Sequence, residues 1–460
     1  MTVLIEGFDP DAIALAFLLA GEDSPVRLAG AEAAPGNADA LRNLGIEVQP
    51  YADLDSDPGT AEVAYLDVWT PEVAPRVQRL RAQGTRVSCL GDLLLERWDG
   101  PSIGITGTAG KTTTTGLVAS ILRCAGIDVV VSRGARASNL WPTADLLEHI
   151  SPRRAVGTSH RDGQAPLLLL ELTSSHLAFM RSSPTVAAVI SFWPDHLELH
   201  GDLARYRLAK ETIARHQSPG DLLIVNADDA SAGFADSTPA DLRAFSLQHR
   251  VERGAFLDPA RGLVLSGSAG EAVLGPLHAG SAHPANVIAA AAIATAAGAG
   301  PADVSRGILA ASPPPWRAHT AGTLGGVPVV DDGMAATPLK TAATLASQRD
   351  GSIVLIAGGL LDAGGGPVHA TAEEQVQLER GCDEVVRAAC MVILFGDAAP
   401  RLADLLGRRG VEAMEVVDLE AAVAVAARCA PGAAAVVFSP LFPVSLDDRS
   451  RFAALVGRAG

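Results

Sequence analysis

The chain has 460 residues, 48% of them hydrophobic, and a formal net charge of −16 with a pI near 5.1. Since an acidic surface repels both a phosphate backbone and an anionic bilayer, we expect neither nucleic acid nor a membrane as a partner. The length predicts roughly three domains. Five cysteines without a CxxC pair, and a first segment without a targeting signal, favour a cytoplasmic protein, which we expect to be a monomer.

Short apolar segments alternate with helical patterns over residues 1–95. The segments read "VLIEG", "VRLAG", "VAYLD" and "TRVSCLG". Strands separated by helices pair in parallel through crossover connections. We therefore predict a Rossmann-like domain over residues 1–95.

Two further series of apolar segments follow in the chain. "PSIGITG", "PLLLLEL", "VAAVISF" and "DLLIVNADD" form the first, and "GVPVVDD", "SIVLIAGG", "MVILFG" and "AAAVVFSP" the second. Their lack of alternation is typical of strands that are buried on both faces of a parallel sheet. A segment rich in Gly, Ala and Pro at 298–315 is the candidate linker. The prediction is an α/β chain of three consecutive domains with mostly parallel sheets, at 1–95, 96–300 and 301–460.

The stretch "GITGTAGKTTTTG" at 104–116 indicates a phosphate-binding loop between a strand and a helix. It departs from the usual pattern, because the position five before Gly110 is Ile105 instead of glycine. A helix N-terminus favours an anion, Lys111 can reach outer phosphates, and the Thr112 hydroxyl can hold Mg²⁺. A plain strand–turn–helix corner is the alternative, which Gly-Lys-Thr-Thr at a helix start disfavours. The central domain is thus predicted to be a P-loop-type ATPase. Its predicted nucleotide-binding residues are Gly107, Thr108, Ala109, Gly110, Lys111, Thr112 and Thr113.

This loop spacing, Gly-x-x-Gly-Thr-x-Gly-Lys-Thr-Thr, resembles that of the Mur ligase family. Its members are ATP-dependent, ADP-forming amide ligases that build the peptidoglycan peptide of the cell wall. "LLLLELTSSHL" resembles the family's Glu-Leu-Ser-Ser segment, which implies that Glu171 reaches Mg²⁺ and that Thr173 lies on the substrate side. Taken alone, Glu171 could simply mark where the strand leaves the core.

"SFWPDHLELHGDLARYRLAKETI" resembles the stretch that follows in these ligases. The resemblance implies that His196 serves a second Mg²⁺ site and that Lys210 is carbamylated by CO₂. Electrostatic repulsion between an ammonium and Mg²⁺ about 5 Å away would cost roughly 7 kcal/mol before screening. A carbamate is negatively charged, so the same interaction becomes attractive. Outside this motif, His196 would be an ordinary polar group and Lys210 a solvated helix residue.

Three further residues match nucleotide-binding positions of the family. Asn286, in "AHPANVIAAAAIATAAG", matches an Asn beside adenine, whereas His283 replaces a second Asn. Arg317, in "PPPWRAHT", matches an Arg that reaches the phosphates, and a guanidinium suits phosphate oxygens. Asp332, in "VPVVDDGMAATP", matches an Asp on the nucleotide side.

The layout is nearest to the branch of the family that adds D-glutamate to UDP-N-acetylmuramoyl-L-alanine. "RASNLWP" supplies Asn139 on the muramoyl side, and "SPLFPVSLDDRSRF" supplies Ser445 and Phe452 at the D-glutamate positions. The resemblance therefore implies a UDP-linked muramoyl acid and an amino acid as substrates, with residues 1–95 binding the UDP carrier and residues 301–460 the amino acid.

Departures from the family leave both substrates open. Gly7 is the one glycine where a pyrophosphate loop usually has two or three, and Asp9 and Asp11 stand beside it. Met334 and Asp362 occupy positions where the family usually has lysines. A related ligase with another carrier or amino acid is one alternative. A non-catalytic nucleotide-binding paralogue and an ordinary nucleotidase are others.

Overall fold

The computed structural model describes residues 2–7, 10–30, 41–67, 70–131, 150, 165–277, 282–312, 314, 316–346, 348–362, 368 and 371–459. The chain forms two compact units. The first comprises residues 1–193, 199–279 and 284–311, and the second comprises 194–198, 280–283 and 312–460. The division into three domains at 95 and 300 stays a prediction.

The first unit begins with a five-stranded sheet in the order β3-β2-β1-β4-β5. All of its neighbouring strands pair in parallel. The strands are β1 (Val3–Glu6), β2 (Val26–Gly30), β3 (Glu47–Pro50), β4 (Val63–Tyr65) and β5 (Arg86–Ser88). The accompanying helices are Pro10–Ala20, Tyr51–Ser56, Pro75–Ala82 and Leu90–Arg97.

The first unit also contains a nine-stranded sheet in the order β14-β13-β12-β11-β10-β9-β6-β8-β7. It is parallel from β7 to β12 and ends in antiparallel β13 and β14. The strands are β6 (Ser102–Thr106), β7 (Val129–Val131), β8 (Leu167–Glu171), β9 (Val186–Val189), β10 (Leu222–Asn226), β11 (Asp241–Ser246), β12 (Gly254–Asp258), β13 (Gly262–Gly267) and β14 (Gly270–Gly275). The helices of this region are Lys111–Cys124, Ser174–Leu177, Leu203–Arg215, the 3₁₀ helix Ala230–Ser237, Pro284–Ala296 and Pro301–Ala310. The first two residues of the short helix Leu197–His200 belong to the second unit and the last two to the first.

The predicted linker at 298–315 is wrong over most of its length, because helix Pro301–Ala310 occupies it. Proline at the first helical position and the Asp303 carboxylate, which accepts from the Gly300 N–H at 3.2 Å, start this helix. A β-carbon on Gly307 would collide with the backbone of Ile121. The glycine therefore permits close helix packing, and this segment belongs to the first unit.

The second unit contains a six-stranded sheet in the order β15-β16-β20-β17-β18-β19, in which β15 alone is antiparallel to its neighbour. Apolar residues cover both faces: Leu355 joins one buried cluster, whereas its neighbours Val354 and Ile356 join the other. The strands are β15 (His319–Leu324), β16 (Val327–Asp331), β17 (Ile353–Gly358), β18 (Ala389–Phe395), β19 (Met414–Glu415) and β20 (Ala435–Leu441). The helices are Pro338–Leu345, Ala372–Ala388, Ala399–Gly407, Leu419–Cys429 and Leu446–Ala459.

The predicted α/β class with mostly parallel sheets is confirmed. In the part of the chain that the structure describes, no helix combines the length and apolar character needed to cross a membrane.

Candidate active site

The loop after β6 leads directly into helix Lys111–Cys124, as the sequence predicts. Gly110 stands at the helix N-cap with φ +82°, a backbone conformation that glycine adopts without a steric penalty. A β-carbon there would also collide with the side-chain oxygen of Asn286. The loop therefore requires glycine at this position, and the predicted Asn286 lies directly against it.

Hydrogen bonds from two backbone N–H groups of the loop fix it against the segment that follows β9. The Thr108 N–H donates to the Ser191 carbonyl at 3.0 Å, and the Ala109 N–H donates to Ser191 Oγ at 2.9 Å. The Thr108 hydroxyl is 2.9 Å from the Tyr206 hydroxyl and 3.1 Å from the Trp193 carbonyl oxygen. These two loop amides thus face the protein instead of a ligand. The first amides of the following helix, which have no intrahelical acceptors, are the better phosphate donors.

Lys111 and Lys210 converge on one backbone oxygen. Lys111 Nζ donates to the Gly107 carbonyl at 2.8 Å, and Lys210 Nζ donates to the same oxygen at 3.0 Å. Lys210 is only 1% exposed and also contacts the Thr106 hydroxyl at 3.3 Å. The structure therefore brings both predicted lysines to the loop, with their ammonium nitrogens less than about 6 Å apart.

Thr112 and Glu171 also meet as the sequence predicts. Strand β8 lies beside β6 with Glu171 opposite Ile105, so the carboxylate stands at the strand end next to the loop. The Thr112 hydroxyl donates to Glu171 Oε1 at 3.0 Å, and Glu171 is buried. A hydroxyl and a carboxylate thus lie side by side at the start of the helix.

Thr173 caps the short helix Ser174–Leu177 together with a histidine that the sequence analysis did not assign. The Thr173 N–H donates to His176 Nδ1 at 3.2 Å, and the His176 N–H donates to Thr173 Oγ1 at 3.3 Å. Burial, reinforced by the nearby charge of Lys111, lowers the pKa of His176 to about 3. His176 is therefore neutral at physiological pH, and since Nδ1 accepts, the proton is on Nε2.

A second buried histidine extends this network. His200 Nε2 is 3.0 Å from the Ser174 hydroxyl, and the His200 ring packs edge-on against Tyr206. Tyr206 in turn contacts the loop at Thr108. Side chains on three elements therefore connect the strand-end segment at 173–176 with the phosphate loop.

Asn226, Asp228 and Asp229 hold the turn after β10. Asp228 Oδ2 accepts from the Leu247 N–H at 2.6 Å, and Asp229 Oδ1 accepts from the Ser231 N–H at 2.7 Å. Their carboxylates are thus engaged locally.

The second unit holds His196, which has φ +54° and follows Asp195. Lys340 Nζ lies 3.3 Å from Asp195 Oδ2 and forms an ion pair with it. A left-handed backbone on a residue other than glycine is uncommon and is enriched at functional sites. The metal role of His196 stays a prediction.

Asp332 is buried at the end of β16 in the second unit. Its Oδ2 accepts hydrogen bonds from the hydroxyls of Thr344 at 2.6 Å and Ser439 at 3.0 Å. Burial, with a smaller contribution from Asp331, raises the pKa of Asp332 to about 7 in spite of these hydrogen bonds. Burial likewise raises the pKa of Asp331 to about 7.

Ser445 and Phe452, predicted at the amino-acid site, both have structural partners within the second unit. The Ser445 hydroxyl donates to Asp448 Oδ2 at 2.7 Å and accepts from the Asp448 N–H at 3.0 Å. The Phe452 ring is fully buried, with its centroid 4.4 Å from that of Phe438. Their substrate roles stay predictions, and Asn139 lies outside the described residues.

Comparisons with known proteins agree with these motifs. The family model of the Mur ligase middle domain matches residues 105–294. The UDP-N-acetylmuramoylalanine–D-glutamate ligase of Frankia casuarinae is 33% identical over 430 residues, which cover 89% of this chain and 82% of that one. The chain belongs to the Mur ligase family.

Two more comparisons extend the likeness along the whole Mur ligase chain. The UDP-N-acetylmuramoylalanine–D-glutamate ligase of Rubrobacter xylanophilus is 32% identical over 449 residues, which cover 94% of this chain and 91% of that one. The crystal structure of UDP-N-acetylmuramate–alanine ligase from Thermotoga maritima shares the fold, with a TM-score of 0.60 at 18% identity and 100% of both chains covered. The predicted family is confirmed. Mur ligases are ATP-dependent, ADP-forming enzymes, and so is this chain.

The donor set of this Mur ligase fits Mg²⁺ bound together with nucleotide phosphates. Within the described ranges, no three His, Cys, Asp or Glu side chains converge as a ready-made metal cage. Mg²⁺ is usually held by one or two protein oxygens, substrate phosphates and water. The Thr112 hydroxyl and the Glu171 carboxylate supply such oxygens beside the loop.

Proposed function

We propose that this Mur ligase joins D-glutamate to UDP-N-acetylmuramoyl-L-alanine through an acyl phosphate. An oxygen of the carrier's carboxylate attacks the γ-phosphorus of ATP, and ADP leaves. The amine nitrogen of D-glutamate then attacks the acyl carbon, and phosphate leaves with one of the original carboxylate oxygens. We further propose that the enzyme acts as a cytoplasmic monomer, a location with which its strong net negative charge of −16 is compatible.

One observation carries this proposal: Lys111, Thr112 and Glu171 meet at the start of one helix. Lys111 would hold the outer phosphates, and Thr112 and Glu171 would hold Mg²⁺, which lowers the charge on the phosphates when bound. Catalysis of this kind depends mainly on positioning and on neutralising phosphate charge. A nucleotide-binding scaffold would not need a buried Glu171 beside the Thr112 hydroxyl, which disfavours a non-catalytic paralogue.

We also propose that Lys210 is carbamylated. Two ammonium groups that share the Gly107 carbonyl repel each other, by about 3 kcal/mol at 6 Å and an effective dielectric constant near 20. Converting the Lys210 amine to a carbamate replaces this repulsion by an attraction to Lys111. The modified residue would then add a carboxylate-like group to the phosphate site, which together with His196 would serve a second Mg²⁺.

The remaining residues would position the two substrates and the nucleotide. Asn286, directly against Gly110, and Asp332 would seat adenosine, and Arg317 would engage the phosphates. Ser445 would contribute to the D-glutamate site at the start of helix Leu446–Ala459. We assign carrier binding to residues 1–95, ATP to 96–300 and the amino acid to 301–460.

A related ligase with another carrier is the second candidate, and one observation favours it. Glu6, buried at the end of β1, accepts from Arg76 Nε at 2.9 Å and from the Thr70 hydroxyl at 2.6 Å. The end of the first strand is where a Rossmann-like fold usually approaches a pyrophosphate. A carboxylate there, which also occupies the Arg76 guanidinium, disfavours a doubly charged pyrophosphate.

The test is coupled product formation by the purified enzyme. With UDP-N-acetylmuramoyl-L-alanine and ATP, we expect D-glutamate to yield one ADP and one amide per turnover, and L-glutamate or D-aspartate to yield far less. Turnover of this carrier would exclude the second candidate. Amide formation with a carrier that lacks UDP, and none with the UDP carrier, would establish the second candidate instead. ATP hydrolysis without an amide product from any pair would contradict the ligase assignment.

A further inference from the structure

Arg449 lies in the first turn of helix Leu446–Ala459, against the segment that follows β16. Its side-chain stem packs over Gly333, where a β-carbon would stand 3.4 Å from Arg449 Cγ and 3.0 Å from the Phe438 ring. Its guanidinium Nη1 approaches Met334 Sδ at 2.6 Å. The arginine stem thus lies in van der Waals range of the Gly333 position, and the charged end reaches Met334.

The charge of Arg449 has no acidic partner in the described part of the chain. Its other hydrogen bond goes to the Ser445 carbonyl at 3.5 Å, and Arg317 is close enough to lower the pKa of Arg449, although burial is the larger cause. Three acidic side chains near this segment have other hydrogen bonds: Asp448 with the Ser445 hydroxyl, Asp332 with two hydroxyls, and Asp331 with the Gly333 N–H at 3.0 Å. A thioether neutralises no charge. A partly buried guanidinium without an ion-pair partner is stabilised by a bound anion.

The segment that Arg449 faces lacks a cation that the family pattern leads us to expect. Met334 stands where the family usually has a lysine. Arg449 presents its guanidinium at Met334, one helical turn from Ser445. The positive charge missing from position 334 is therefore supplied from the helix Leu446–Ala459.

We propose that Arg449 binds the carboxylate of the incoming amino acid and thereby sets the selection of a dicarboxylic substrate. A guanidinium suits this task because it binds a carboxylate through two parallel hydrogen bonds. The inference rests on the proposed ligase function and adds the residue that recognises its second substrate. A phosphate oxygen is the other anion that Arg449 could take, and the experiment separates the two.

The test compares Arg449→Met and Arg449→Lys with the matched control Arg451→Met. Arg451 lies on the same helix, is half exposed and pairs with Asp447 and Glu420. Loss of a charged hydrogen-bonding group predicts a KM for the amino acid that is roughly 10- to 100-fold higher in Arg449→Met. We expect the KM for ATP to stay within about twofold in all three variants. Arg449→Lys should recover part of the affinity, and the control should behave as wild type.

A double variant distinguishes loss of the cation from misfolding. Because Met334 touches the guanidinium, Arg449→Met combined with Met334→Lys returns a cation to the same place, and we expect it to lower the amino-acid KM again. A raised KM for ATP with an unchanged KM for the amino acid would make Arg449 a phosphate ligand and overturn the proposal. Unchanged constants in Arg449→Met would overturn it as well. Wild-type enzyme that forms no amide with any amino acid would instead contradict the proposed function.

Discussion

The shared carbonyl of Gly107 predicts that CO₂ stabilises the nucleotide-free enzyme through Lys210. With both lysines charged, Lys111 and Lys210 repel each other by about 3 kcal/mol at an effective dielectric constant near 20. A carbamate on Lys210 turns this repulsion into an attraction of similar size. The interaction energy between residues 111 and 210 thus changes by about 6 kcal/mol before screening. If solvent screening leaves about a third of this change, the folded state gains roughly 2 kcal/mol. That gain raises Tm by about 4 °C or more for a domain of this size.

The assay is thermal unfolding in CO₂-depleted buffer and in buffer with bicarbonate at the same pH and ionic strength. Isotope-labelled bicarbonate identifies the carbamate carbon by NMR. The chain contains only three lysines, Lys111, Lys210 and Lys340, so single Gln variants assign a lysine carbamate to its residue, and a signal that persists in all three variants comes from an α-amine. We expect Lys210→Gln to abolish both the signal and the shift in Tm, and Lys340→Gln to leave both intact. A bicarbonate effect that persists in Lys210→Gln, or its absence in wild type, would refute this reasoning.

Three further predictions concern the loop, the acidic strand end and the second unit. Gly110→Ala forces alanine into a left-handed backbone, which costs about 1–2 kcal/mol of conformational free energy, and presses its β-carbon against Asn286. We therefore expect the KM for ATP, measured by steady-state kinetics, to rise about tenfold. Glu171→Gln keeps the shape but removes the charge beside Thr112, so ADP release should fall at least about 100-fold without loss of Tm. Because burial raises the pKa of Asp331 to about 7, its stabilising contribution is complete below about pH 4 and is lost as the pH rises to about 7. Asp331→Asn should therefore flatten the fall of unfolding free energy over that range, measured by denaturant titration.

Each of these predictions has a control. Gly116 lies in the same helix with open space around its β-carbon position, and Gly116→Ala should leave the KM for ATP unchanged and Tm equal or higher. Equal ATP constants in the two alanine variants would contradict the role of Gly110. Full activity in Glu171→Gln would remove this residue from the site. Parallel pH profiles for wild type and Asp331→Asn would show that Asp331 does not titrate as its burial requires.

The sequence predicted the parallel strands well because their cause is local. Runs such as "PLLLLEL" are apolar without alternation, and the structure buries every residue of β8. The strands β11 to β14 were not predicted, although Gly262 and Gly270, both with positive φ, begin the two antiparallel partners. The missed helix Pro301–Ala310 shows that Pro and Gly content alone does not separate a linker from a capped helix.

The site was predictable where a sequence motif identified the residue. Glu171 and Thr112, which their motifs assigned to Mg²⁺, meet because β8 pairs with β6. His176 and Ser191 were missed. A Thr-x-x-His cap at a strand end indicates His176, and the position just beyond β9 indicates Ser191, but their contacts depend on how strands pair in space. Arg449 could not be found from spacing, because its importance comes from a contact with Met334 more than a hundred residues away in sequence.

The transfer of carboxylate oxygen to phosphate tests the central claim most directly. The enzyme is given ATP, D-glutamate and UDP-N-acetylmuramoyl-L-alanine whose carboxylate carries heavy oxygen, and the released phosphate is analysed by mass spectrometry. An acyl phosphate formed at the Lys111 loop predicts one labelled oxygen in each phosphate, and no product from Lys111→Ala. Phosphate free of label, or full turnover by Lys111→Ala, would contradict the account.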